Sequence, residues 1–315
     1  MKSLSVMSLC LLLWAGGCAR LERFEFTRVC MGVRARIVLY STDRERATEA
    51  ASGAFARLGA LDAMMSDYRP SSDLSRVNAA AGNGEWVRVP TELSDLLAAS
   101  VALARETDGA FDPTVGPAVR TWRRMRDERR RAPEHELALV RASVDWRQLE
   151  VREGEARLLR PGMALDLGGI GKGYAAEEAV RTLRASGHPR AMVALAGDVF
   201  AGQPPPGEAG WRVEVADGSI LNARECGISS SGGGVQFVEL GGERFAHIVD
   251  PRTGLGARSG WAVSVRAERG AEADALATAV FLLGPERGRD VLAVRGAWAW
   301  FAPGDGVGTL GPEPR

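Results

Sequence analysis

Residues Met163–Ala175 read MALDLGGIGKGYA: an apolar run ends at Asp166, and four glycines follow around a single lysine, Lys172. Glycines let backbone N–H groups come close to an anion, and a helix opening just after them adds positive potential. That is phosphate-loop chemistry, yet neither common phosphate signature is present. A P-loop needs Gly five residues before its Gly-Lys pair and Ser or Thr after it, where this chain has Asp166 and Gly173. A dinucleotide fingerprint needs its third Gly where Tyr174 stands. Taken alone, the segment also suits a plain glycine-rich turn between a strand and a helix.

Lys172 tips that balance. Of the 40 Lys and Arg residues only Lys2 and Lys172 are lysines. Arginine favours flat bidentate contacts, whereas lysine is a compact point charge. At an effective dielectric of about 20, such a charge 4 Å from an anion contributes roughly 4 kcal/mol before desolvation. A helix terminus contributes about 0.3–1 kcal/mol. Lys172 is therefore expected to outweigh the helix end in holding an anion.

A second group lies in Ala271–Gly284, AEADALATAVFLLG. Asp274 and Thr278 are four residues apart and share one helix face. A carboxylate among Ala and Leu needs a partner. With the Thr hydroxyl and nearby carbonyls it suits a hard cation such as Mg²⁺. The plainer reading is an aspartate capping its own helix. Three polar loops complete the set: Ser66–Asn78 (SDYRPSSDLSRVN), Thr107–Pro117 (TDGAFDPTVGP) and His247–Gly254 (HIVDPRTG).

These groups must be held by surrounding elements. Residues 24–40 are β-rich and split at Met31-Gly32, as in a hairpin or bulge. Ala47, Ala51, Ala54, Phe55, Leu58, Leu61 and Met65 have helical spacing. Asp67–Asn83 reads as a polar loop. A second helix covers 91–106, with Thr91 able to cap it. Short strands are expected over 144–166, a helix over 174–186 and one strand over 190–200. Strands follow at 211–216, 235–240, 244–249 and 261–267, with Gly241-Gly242 turning a hairpin. Helices over about 271–283 and 285–294 precede a last strand near 297–302. Strands in adjacent pairs as well as alternating with helices favour an α+β fold of mixed sheets and packed helices. Seven arginines in 120–131 read as a solvated helix and loop, or as a surface for an anionic membrane or acidic partner.

The 40 basic and 40 acidic side chains exclude a nucleic-acid binder that works through net charge. At 45% hydrophobic and 25% charged, the composition is globular. Residues 1–17 are an export signal: Lys2, a short apolar run through Trp14, then Ala15-Gly16-Gly17. Cys18 directly after small residues resembles a bacterial lipobox, in which that Cys carries the lipid. The expectation is a lipid anchor on the periplasmic side of the inner membrane. Cys30 and Cys226 would share that oxidising compartment, but nothing in the sequence brings them together.

In this order the motifs resemble the FAD:protein FMN transferases, the ApbE-type flavin transferases. The resemblance runs from Met31-Gly32 through SDYRP, TDGAFDPTVGP, DLGGIGKGYA, Ser230–Gly232 and HIVDPRTG to ADALATAVFLLG. It implies an ApbE-like fold, one large bilobal domain over 18–315. It also implies FAD contacts at Met31, Tyr68, Ala110, Phe111, Asp112, Asp166, Lys172 and Ile248. Mg²⁺ ligands would be Asp274, the Thr278 hydroxyl and the carbonyls of Gly169 and Ala277. Asp274, Lys172 and His247 become the catalytic candidates, with His247 the candidate base. Ala196 stands where the family commonly has Gly.

The implied reaction moves the FMN part of FAD onto a Thr or Ser hydroxyl of an acceptor flavoprotein and releases AMP. A subunit of a membrane redox pump or a reductase would be the acceptor. Two other activities fit the same pocket: a lipoprotein that stores FAD, and a Mg²⁺-dependent FAD pyrophosphatase. The motifs alone separate these poorly.

Overall fold

The computed structural model describes residues 20–232, 237–258 and 260–303. The expected export signal over 1–17 and Cys18 lie outside the described residues, as do residues 235–236 of one expected strand.

A seven-stranded antiparallel sheet is the frame. Its strands, in spatial order, are Glu22–Cys30, Val33–Ser41, Ala191–Leu195, Asp198–Ala201, Cys226–Gly232, Trp261–Ala267 and Trp298–Pro303. Spatial order follows chain order, so the functional segments are insertions between sheet neighbours. The expected split at Met31-Gly32 is the turn of the first hairpin, where Cys30 pairs with Val33.

Seven helices are described: α1 (Arg44–Met65), α2 (Asp73–Ala79), α3 (Thr91–Glu106), α4 (Gly116–Glu128), α5 (Glu134–Ala142), α6 (Gly171–Ala185) and α7 (Gly270–Arg295). α1, α6 and α7 lie side by side against the sheet. On α1 all seven residues singled out by spacing are buried. Its first turn is capped by Asp43, whose carboxylate accepts from Arg46 N–H at 2.9 Å. Arg57 of α1 donates to Glu92 of α3 and to Glu178 of α6, and the Tyr174 hydroxyl also donates to Glu92. This network ties the three helices at the start of α6.

The opposite sheet face is covered by the hairpin of Trp211–Glu214 and Ile220–Ala223. A smaller second core joins Ala118, Trp122 and Met125 of α4, Leu137 of α5, and Leu240, Phe245, Val249 and Leu255 from the hairpins after residue 236. A large sheet with seven packed helices is the expected α+β fold of mixed sheets and helices.

Several local expectations change. The polar loop 67–83 contains α2, capped by Ser72, whose hydroxyl accepts from Ser75 N–H at 2.9 Å. Only Leu74 and Val77 are buried there, too few to mark a helix by periodicity. Thr91 is the first residue of α3 and does not cap it; Pro90 occupies the cap position. The single strand over 190–200 is two strands that turn at Ala196-Gly197, with Ala196 at a left-handed φ of 54°. That geometry favours glycine, which gives a physical reason for the family's usual residue there. The central strand Cys226–Gly232 is Ser- and Gly-rich and carries no strand signal in its sequence. The two expected C-terminal helices, by contrast, are borne out: α7 is two helical segments that meet at Gly284-Pro285, where Gly284 has a non-helical φ of 80°. Cys30 and Cys226 are both free thiols.

Candidate functional site

The site forms where the start of α6 meets the start of α7. Gly173 allows the contact: a Cβ there would lie 2.1 Å from the Gly270 carbonyl oxygen and 2.7 Å from Asp274 Cβ. Each helix caps the other. Glu177 of α6 accepts from Gly270 N–H at 2.8 Å, and Asp274 of α7 accepts from Gly173 N–H at 3.0 Å. Asp274 therefore does not cap its own helix; it places a buried carboxylate at the N-terminus of α6, where the helix dipole favours it.

This changes the role of the glycine loop. Gly168 N–H donates to Asp166 at 2.7 Å, Gly171 N–H to the Leu167 carbonyl at 2.7 Å, and Gly173 N–H to Asp274. These amides are used within the protein and do not form an open phosphate cradle. Gly169 differs. Its carbonyl accepts no hydrogen bond among the described residues. It sits against α7, where a Cβ would lie 3.1 Å from the Thr278 hydroxyl and 3.6 Å from the Phe111 ring.

Lys172 Nζ donates to the Gly168 carbonyl at 2.7 Å and lies 3.2 Å from Asp198 and 3.7 Å from Asp274. Its side chain keeps 27% exposure. The two carboxylates hold the ammonium well above the usual lysine range, against the opposing effect of burial. Burial, then repulsion from Asp198, pushes the Asp274 carboxyl up. Asp198 is buried and accepts a hydrogen bond from the Ser229 hydroxyl. Two buried carboxylates against one ammonium leave the cluster short of positive charge.

The donor set fits a hard divalent cation. Asp274 has its anion destabilised. The Thr278 hydroxyl has no partner among the described residues, although helical threonines commonly bond back to the preceding turn. The Gly169 carbonyl beside it is equally unused. Ala277 lies in the same turn of α7 as these groups, and is buried.

The other expected contacts divide. Tyr68 is 71% exposed, with the Arg123 guanidinium over its ring at 4.3 Å. Asp166 is buried and lies 3.4 Å from the same Arg123, and burial raises its carboxyl. Ala110 and Phe111 are buried under the loop. Met31, in the first hairpin turn, and Ile248 are half-buried against the main core. Asp112 is scaffold: its carboxylate accepts from Thr114 N–H and hydroxyl at 2.8 and 2.6 Å, and from Trp146 N–H at 3.1 Å. These bonds hold the loop that carries the expected FAD contacts Ala110, Phe111 and Asp112. His247 is exposed on the bend after the strand Glu243–Ala246. The loop beyond it is tied to α7 by Arg252, which donates to Asp250 at 2.9 Å and to the Leu282 carbonyl at 3.1 Å.

Sequence reasoning missed Asp198, Ser229 and Arg123. The loop ending at Asp198 stood out only through Ala196, and Arg123 was one of seven arginines in a charged run.

Comparison with known proteins bears on the family and the fold. The FAD:protein FMN transferase of Treponema pallidum (strain Nichols) is 32% identical over 309 residues, covering 88% of this chain and 84% of that protein. The FAD:protein FMN transferase of Escherichia coli (strain K12) is 28% identical over 291 residues, covering 88% and 83%. The solved apo flavinyl transferase ApbE of Pseudomonas stutzeri superposes with a TM-score of 0.80 at 27% identity, covering 93% of this chain and 94% of that one. An ApbE protein of Thermotoga maritima gives 0.80 at 28% identity, covering 91% and 96%. The family model described as the ApbE family matches residues 31–301, and the chain belongs to that family.

Proposed function

We propose that this chain is a FAD:protein FMN transferase that uses Mg²⁺. The observation that carries the reading is the convergence at the α6–α7 junction. A buried Asp274 with a raised carboxyl stands beside an unused Thr278 hydroxyl and an unused Gly169 carbonyl. Relatives named FAD:protein FMN transferase support the substrate.

In this reading Asp274, Thr278 and the carbonyls of Gly169 and Ala277 hold Mg²⁺. When bound, the ion neutralises charge on the pyrophosphate oxygens. Lys172 Nζ holds a compact positive charge beside that position and offsets the repulsion between Asp198 and Asp274. An acceptor Thr or Ser oxygen forms a bond to the phosphorus attached to riboflavin. The bond from that phosphorus to the bridging oxygen breaks, and AMP leaves with the bridging oxygen. The hydroxyl proton passes to the imidazole of His247, an exposed residue on the bend after Ala246. Tyr68, Asp166 and Ile248 line the flavin side.

The anchor belongs to the same proposal. Cys18 would be lipidated after removal of 1–17 and hold domain 18–315 at the inner membrane, facing the periplasm. No helix of the described residues is long and apolar enough to cross a membrane.

The test weighs an acceptor intact after incubation with the mature chain, FAD and Mg²⁺. A gain of one FMN unit, lost when Mg²⁺ is chelated or the target Thr is replaced, is expected. Free AMP and FMN with an unmodified acceptor would point to a pyrophosphatase. Unchanged FAD held by the protein across several acceptors would point to storage.

A further inference from the structure

The arginine run 120–131 is not one solvated face. Arg124, Arg126 and Arg130 pair with Glu136, Asp127 and Glu128, with side-chain exposures of 48%, 50% and 72%. Arg123 is 27% exposed and turns to the site. Its Nη1 donates to Asp67 Oδ2 at 2.7 Å, and its Nη2 lies 3.4 Å from Asp166 Oδ2. Its Cζ lies 4.3 Å from the centre of the Tyr68 ring.

One guanidinium thus joins three separate segments: α4, the loop between α1 and α2, and the stretch leading into the glycine loop. A planar fork can stand over a ring while its two ends reach two carboxylates; a compact ammonium does not match that span. Tyr68 is still 71% exposed with one face covered, so its other face is open. Asp67 and Asp166 would otherwise present two negative charges beside the loop that the proposed function gives to a pyrophosphate.

We propose that Arg123 is a positioning residue of the flavin site. It holds the Tyr68 ring with one face presented to a planar aromatic ring, and it offsets Asp67 and Asp166 against an incoming diphosphate. The inference rests on the FAD reading above.

The test titrates the mature chain and its Arg123→Met and Arg123→Lys variants with FAD and with riboflavin, following flavin fluorescence, and records a melting curve for each. Loss of charge-assisted contacts predicts FAD binding weaker by roughly tenfold in Arg123→Met. Riboflavin, which has no phosphate, should lose less. Bound flavin should also be less quenched, because the ring is no longer held. Arg123→Lys should recover part of the FAD affinity but not the quenching. A merely structural arginine would alter melting and leave quenching per bound flavin unchanged.

Wild-type affinity and quenching in Arg123→Met would overturn the proposal, as would tighter binding, which would mean that the guanidinium blocks the ring. If Arg123→Met does not fold, wild-type quenching in Arg123→Lys overturns it instead. A wild-type chain that binds no FAD would remove the underlying reading and this inference with it. Wild-type binding with unchanged variants removes the inference alone.

Discussion

Gly173 donates its backbone N–H to the Asp274 carboxylate at 3.0 Å, across 101 residues of chain. The return contact, from Gly270 N–H to Glu177 at 2.8 Å, makes the exchange reciprocal. Two helix N-termini, each with unsatisfied donors, are closed by carboxylates from the partner helix. The consequence is functional as well as structural. Asp274 is aimed at the glycine loop because α6 needs a cap there, so the residue that would bind a metal is also part of the helix junction.

Gly173→Ala tests the close approach. The added methyl would meet the Gly270 carbonyl oxygen at 2.1 Å, a backbone atom that cannot rotate aside. Overpacking of this kind costs about 1–3 kcal/mol or more. The expected result is a lower melting temperature together with weaker Mg²⁺-dependent turnover, since Asp274 must move with α7. A wild-type melting curve would mean that the helices separate freely and that the junction does not set the site.

Asp274 carries a pH signature. Burial and Asp198 raise its carboxyl in the folded chain. The folded state then binds a proton that the unfolded state has released, so stability falls as pH rises from about 4 through the raised value. With a chelator present, Asp274→Asn should lose less stability than wild type between about pH 4 and pH 8, the window above the unfolded carboxylate value. Mg²⁺ should flatten the wild-type slope and leave the variant unchanged. Equal slopes in both chelated proteins would remove the raised carboxyl. Asp274→Asn should also abolish Mg²⁺-dependent turnover while retaining some FAD binding.

The export signal predicts its own result. Cys18→Ala removes the thiol that would carry lipid, and Ala15-Gly16-Gly17 then offers no lipid attachment. The variant should move from the membrane fraction to the soluble fraction with its activity on FAD unchanged. Membrane association that survives the substitution would count against lipidation and would direct attention to the arginines of α4.

What the sequence disclosed follows from range. α1, α3 and the turn at Gly241-Gly242 were legible because periodicity and turn chemistry are local. So was the break at Gly284-Pro285. The strand Cys226–Gly232 was not, because its Ser- and Gly-rich sequence has no alternation or β-branched run to mark it. What holds it is distant: the buried Ser229 donates to Asp198, and the exposed Ser230 meets Ser264 at 2.6 Å. At the site, Lys172 was visible as a rare type, and Asp274 and Thr278 as polar residues four apart on a mostly apolar helix. Asp198 and Arg123 gain meaning only from residues 26 or more positions away, so no local pattern marks them. Asp112 was legible as part of a polar motif, but its bonds to Thr114 and to Trp146, 34 residues on, were not.

Lys172→Arg separates charge from shape. Lys172 Nζ reaches the Gly168 carbonyl at 2.7 Å and Asp198 at 3.2 Å from the first turn of α6. A guanidinium keeps the charge, but it is longer and planar, and it must either displace Gly168 or swing out toward solvent. Stability should change little, because both carboxylates keep a cation nearby. FAD affinity and turnover should fall together, since the displaced loop carries Gly169. Lys172→Met provides the contrast: it leaves two buried carboxylates without a counter-charge, at a cost of about 3 kcal/mol. The pair is read by melting temperature against FAD affinity. An arginine variant with wild-type affinity and rate would show that any cation suffices, and the chain's single mature lysine would then need another explanation.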